Sequence, residues 1–136
     1  MSESGAVEDA QFSDEFCRFI QTAIPAVDAA EMLLLIADRP DAWWTIDEAI
    51  ARLRPGAVIS ETDAQRYVEG FAEAGIVEAG ADRRFRFHPR GPAEEGHVRS
   101  LAQAYEERPV TLIRVIYALR DSKIRTFAEA FKLRKK

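Results

Sequence analysis

Cysteine and histidine are nearly missing from this chain of 136 residues, which holds one cysteine, Cys17, and two histidines, His88 and His97. A single thiol closes no internal disulfide and builds no Cys-rich zinc site. The histidines stand nine residues apart with no cysteine beside them, so no metal-ligand spacing is present. Cys17 lies far from both in sequence and reads as a small packing residue, not a nucleophile. The phosphate and nucleophile signatures GxxxxGK[ST], GxGxxG and GxSxG are also missing; Gly75, Gly80, Gly91 and Gly96 are spaced as caps and turns. The longest apolar run, Met32 to Ala37, falls well short of the roughly 18 residues of a membrane span. Residues 1–11 are polar and acidic, without the basic and apolar regions of a signal peptide, and are expected to be disordered. These absences point to a non-enzymatic, cytoplasmic protein with no cofactor, no metal and no membrane partner.

What is present is the composition of a globular domain, 47% hydrophobic and 31% charged, with enough length for one core over residues 12–136. The formal net charge of −4 argues against a general polyanion binder. Its distribution is uneven. Glu3, Glu8, Asp9, Asp14 and Glu15 have no basic residue among them, whereas Arg120, Lys123, Arg125, Lys132, Arg134, Lys135 and Lys136 outnumber Asp121 and Glu129. Such polarity suits a solvated tail on a favourable helix dipole, steering of a partner to the C-terminal end, or head-to-tail association of two chains.

Ser13 is a good N-cap for a helix carrying Phe12, Phe16, Phe19 and Ile20 on one face, ended by Pro25. Asp28 and Glu31 have capping-box spacing before Met32–Ile36, a segment apolar nearly all round and so central. Thr45 and Glu48 repeat that box, with Ile46, Ala49, Ile50 and Leu53 inward. Ser60 starts a third helix with Ala64, Tyr67, Val68 and Phe71 inside. Gly75 suits the left-handed position after its end, with Ile76 folding back. Val77–Ala79 and Arg84–His88 then read as a hairpin with Phe85 and Phe87 inward. A helix over 93–107 is expected to bury Val98, Leu101, Ala102 and Tyr105. After Pro109, residues 110–119 carry many β-branched side chains, yet Leu112, Ile113, Ile116 and Leu119 fit a helical period. The last segment is amphipathic through Ile124, Phe127, Ala128 and Phe131.

From Trp44 to Arg90, and with less definition from Asp28, the chain resembles bacterial winged helix-turn-helix transcriptional regulators. The likeness rests on the Trp-Thr start, Thr45–Leu53, Ser60–Ala74, Gly75-Ile76-Val77 and the hairpin, roughly a third of the chain. It implies a mostly α fold, a winged helix-turn-helix (core 27–90) with a two- to three-stranded β-wing and additional N- and C-terminal helices over 12–24 and 93–134. In such proteins the third helix enters the major groove. That role falls on Thr62, Gln65 and Arg66, with Ser60 and Glu69 beside them, and the wing contacts fall on Arg83, Arg84, Arg86 and Arg90. Gln65 and Arg66 suit adenine and guanine edges.

The sequence departs from that pattern in charge. Residues 60–74 hold Glu61, Asp63, Glu69 and Glu73 against Arg66, and carboxylates read only cytosine well. The turn from Arg54 to Ile59 is also longer than the usual three to four residues. Two readings therefore stand: a DNA-binding transcriptional regulator, or a protein-docking module whose acidic helix meets a basic surface. Aromatics such as Tyr67, Phe71, Tyr105 and Tyr117 form either core or an effector pocket. A homodimer is a further expectation, through Phe12, Phe16, Ile113, Ile116, Tyr117, Phe127 and Phe131.

Overall fold

The computed structural model describes residues 12–53 and 58–120. Helix α1 (Asp14–Ala23) starts at Ser13, whose hydroxyl accepts from the Phe16 amide at 3.0 Å. Pro25 follows its end, where the missing N–H cannot continue the helix. Helix α2 (Val27–Ala37) buries Ala29, Ala30, Met32, Leu33 and Ile36, as its nearly uniform apolarity requires. The capping box expected at Asp28 does not form. The chain is already helical at Val27, with Ala26 at the N-cap and no side-chain cap. Glu31 instead accepts a 2.7 Å hydrogen bond from the Tyr105 hydroxyl.

Helix α3 (Ile46–Arg52) begins with the expected box: the Glu48 amide donates to Thr45 Oγ1 at 3.2 Å, and the Thr45 amide donates to Glu48 Oε1 at 3.0 Å. Residues 54–57, within the long turn, lie outside the described residues. Helix α4 (Glu61–Glu73) is capped by Ser60, which accepts from the Asp63 amide at 3.0 Å. It buries Ala64, Val68 and Phe71. Phe71 is fully enclosed, a burial that contributes about 1.5–3 kcal/mol. At its end Gly75 has φ +80°, the Gly75 amide donates to Ala72 and the Ile76 amide donates to Phe71. That pair of bonds is a Schellman closure, and it aims the chain straight into a strand.

Strands β1 (Val77–Ala79) and β2 (Phe85–Phe87) are antiparallel, with Glu78 opposite Arg86 and Ala79 opposite Phe85. Trp44 bridges the other edge of β2, exchanging hydrogen bonds with Phe85 at 2.8 and 2.9 Å. The hairpin turn carries Asp82 and Arg83 at φ 60° and 59°, and the Arg84 amide donates back to Ala81. Two consecutive left-handed residues are what a type I′ turn demands, at a position that favours Asn and Gly.

Helix α5 (Pro92–Glu107) has proline in its first turn, where no amide bond is lost. It buries Val98, Leu101 and Ala104; Ala102, expected inside, is exposed, and Tyr105 is half-buried. After Arg108 the chain is helical again over residues 109–120, here α6. The helical period therefore prevails over β-branched propensity there. Leu112, Val115 and Ile116 are buried, and Ile113 and Leu119 are half-buried. The described residues are thus mostly helical with one small antiparallel sheet. Among them no single helix is long and apolar enough to cross a membrane.

The expected dimer residues divide. Phe16 and Ile116 belong to the core, at 4% and 1% exposure, so neither is available to a second chain. Phe12 is half-buried edge-on to Phe16 at 5.2 Å. Tyr117 is exposed. Phe127 and Phe131 lie outside the described residues.

Candidate nucleic-acid interface

With Ala64, Val68 and Phe71 turned inward, α4 presents Glu61, Thr62, Gln65, Arg66 and Glu69 to solvent. The type I′ turn projects Arg83 and Arg84, also exposed, from the tip of the hairpin. Between these two elements runs a groove of about 700 Å³. It is lined by Thr62, Gln65, Arg66 and Glu69 of α4, Asp47 of α3, and Arg83 and Arg84 of the hairpin. Five residues singled out in the sequence therefore converge on one concavity: Thr62, Gln65, Arg66, Arg83 and Arg84.

Arg86 and Arg90 do not line it. Arg86 Nε pairs with Glu78 Oε1 at 2.8 Å across the hairpin, and its guanidinium lies 4.9 Å from the Trp43 ring centre. A cross-strand ion pair and a cation–π contact of this kind each contribute up to about 1 kcal/mol. Trp43 in turn covers Gly80, where an added Cβ would come within 2.5 Å of the indole ring. Arg86 thus braces the base of the hairpin. The Arg90 guanidinium lies over Gly75, and its amide donates to the Gly75 carbonyl at 2.7 Å. Arg90 secures the exit from α4.

Two of the groove residues on α4 carry local partners. Gln65 donates to Glu69 at 3.2 Å, and Arg66 stands 3.6 Å from Asp63. Both are exposed pairs of small energetic weight, readily exchanged for a ligand. Glu61 is more constrained. A hydrogen bond with Asp47 and repulsion between the two carboxylates push its pKa above the ordinary value, and Arg83 opposes them. Asp47 escaped the sequence reading because nothing local marks a first-turn acid as the neighbour of a residue fourteen positions later. Trp43 was more accessible: in an extended pair with Trp44 buried, its neighbour must face the other way.

His97 stacks on Phe19 at 5.1 Å. Among the described residues no group of His, Cys, Asp and Glu is arranged to hold a metal. Of the aromatics considered for an effector pocket, Phe71 is core, Tyr117 is exposed and Tyr67 is half-buried, its pKa raised by burial and by Asp63 and Asp28. Only Tyr105 borders a larger cleft, of about 870 Å³, beside Leu34, Leu35, Leu53 and Phe87. No family model, curated protein or solved structure matches the chain.

Proposed function

We propose that this chain is a winged-helix DNA-binding protein acting as a transcriptional regulator. Helix α4 is its reading helix and the β1–β2 hairpin its wing. The observation that carries the reading is the groove that joins Thr62, Gln65 and Arg66 to Arg83 and Arg84. The order α2, Trp44 bridge, α3, α4, β1, β2 supports it, because it places a capped helix beside a hairpin whose central strand is tied back to the core. In this arrangement Gln65 and Arg66 meet base edges, and Arg83 and Arg84 meet phosphates. Arg86 and Arg90 hold the wing and α4 in their relative positions.

A second reading, docking on a basic protein segment, is favoured by one feature of the same groove. Asp47, Glu61 and Glu69 line it together with the arginines, and carboxylates repel phosphate while attracting lysine and arginine.

The deciding measurement is fluorescence anisotropy of the purified chain with a pool of fragments from its own genome at two salt concentrations. Regulation requires salt-sensitive binding that selects a subset of fragments. Absence of binding at low salt would overturn the DNA reading in favour of protein docking.

A further inference from the structure

The cleft beside Tyr105 shares no residue with the groove on α4. Its walls are two helices. From α2 come Glu31, Leu34, Leu35 and Asp38, at i, i+3, i+4 and i+7. From α5 come Glu95, Val98, Ala102, Tyr105 and Glu106, again at steps of three and four. Each set is one face of a helix, so the cleft is a furrow between two helix faces. Its length from Glu95 to Glu106 is about 16 Å at the helical rise per residue. Leu53 of α3 and Phe87 of β2 complete the floor. Leu34, Leu35, Leu53 and Phe87 are half-buried and Ala102 is exposed, so the described residues leave this apolar floor partly open to water. The Tyr105 hydroxyl donates to Glu31 at 2.7 Å and ties one wall to the other. The width of the furrow is thereby set before anything enters it, which lowers the cost of binding.

We propose that this furrow holds a basic amphipathic helix of about three turns, supplied by a partner protein. Shape selects a helix. A third helix packs on two others by setting its ridge of side chains between theirs, and such docking uses apolar anchors at i, i+3, i+4 and i+7. Ala102 on the floor lets the incoming backbone approach closely. Charge selects the sign. Glu31, Asp38, Glu95 and Glu106 line the furrow against Arg52 and Arg99, and Arg99 stands 3.7 Å from Glu95. Asp38 and Glu106 lie at the C-terminal ends of α2 and α5, where neither last turn carries a basic side chain and the helix dipole adds negative potential. Lysine or arginine flanking the apolar stripe of a partner helix meets those carboxylates, whereas nucleic acid and anionic lipid are repelled. Neither reading of the α4 groove depends on this site.

Fluorescence anisotropy of the full chain with a labelled leucine–lysine peptide tests it. The peptide has about fifteen residues, long enough to hold a helix, with leucine at i, i+3, i+4 and i+7 and lysine between. A scrambled order removes its apolar stripe, and glutamate in place of lysine reverses its charge. The parent should bind the leucine–lysine peptide at least about tenfold more tightly than either control. Ala102→Lys, at an exposed site on the floor, should raise the dissociation constant about tenfold or more, as should Asp38→Lys with Glu106→Lys on the rim. Glu61→Lys with Glu69→Lys makes the same change of charge on the α4 groove and should leave it nearly unchanged. Circular dichroism confirms that each variant stays helical; should Ala102→Lys unfold, the Asp38 and Glu106 pair decides. Absence of binding, equal binding of the scrambled peptide, or indifference to both cleft variants overturns the proposal. Loss of binding in the Glu61 and Glu69 variant alone also overturns it, and places the basic helix on the α4 groove.

Discussion

Glu61 sits at the first position of α4, where the helix dipole favours a carboxylate, yet Asp47 opposes it strongly enough to raise its pKa above 4.5. The folded state therefore holds this proton to higher pH than the unfolded state. The corresponding stability is fully present below the usual carboxylate value and is lost as pH rises through the raised one. Glu61→Gln keeps a hydrogen-bond donor toward Asp47 and removes the repulsion. The variant should melt above the parent at neutral pH, with the difference closing as pH falls through the carboxylate range in thermal scans. At Gly75 the direction reverses. Its φ of +80° is strained for any L side chain, whereas the Arg90 guanidinium over its Cα can swing aside. Gly75→Ala should cost about 1–2 kcal/mol, read as a lower urea midpoint at unchanged slope. The Gly75 role was legible in the sequence, because a glycine closing an amphipathic period before Ile-Val has one common explanation. The Asp47–Glu61 contact was not, since it depends on how α3 and α4 cross.

Short-range signals defined most elements, and the exceptions have identifiable causes. Ser13, Thr45 and Ser60 each cap a helix as their spacing foretold. The box at Asp28 failed because Ala26 already presents extended backbone from which Val27 can start a helix. Ala102 was expected inside on the period of Val98 and Leu101, but Ala104 takes the buried place. Both alanines fit the period closely, and packing chose between them. Along the hairpin, alternation correctly turned Phe85 inward. It could not separate Arg86, engaged by Glu78 and Trp43, from Arg84 on the groove. The left-handed Arg83 was also beyond reach, since arginine, unlike Asp82 beside it, does not announce positive φ. It leads to a test that separates stability from function. Arg83→Gly should relieve the backbone and stabilise the fold by about 0.5–1 kcal/mol, while weakening any DNA complex through loss of its charge. Parallel urea titration and anisotropy would show both; a variant that binds as tightly as the parent removes Arg83 from the interface.

At the scale of the whole molecule, net charge and local charge point in different directions, and the difference makes a quantitative prediction. A chain of net charge −4 gains little from general attraction to a polyanion, so whatever affinity it has for DNA must come from the few cations that the fold gathers. Composition alone could not identify them. The sequence offered four wing arginines as equals, whereas the groove takes Arg83 and Arg84 and leaves Arg86 and Arg90 to brace its walls. Each phosphate contact contributes about 0.9 to the slope of log K against log salt. Arg83→Ala with Arg84→Ala should therefore flatten that slope by about two units with little change in melting temperature. Arg86→Ala should leave the slope nearly unchanged while lowering stability by about 1 kcal/mol, through loss of the Glu78 and Trp43 contacts. Salt titrations and melting curves of both variants, run side by side, distinguish a cation that meets phosphate from one that holds the wing. Equal slopes in the parent and the Arg83/Arg84 variant would place the anion contacts elsewhere and return the groove to its acidic residues and a basic protein partner.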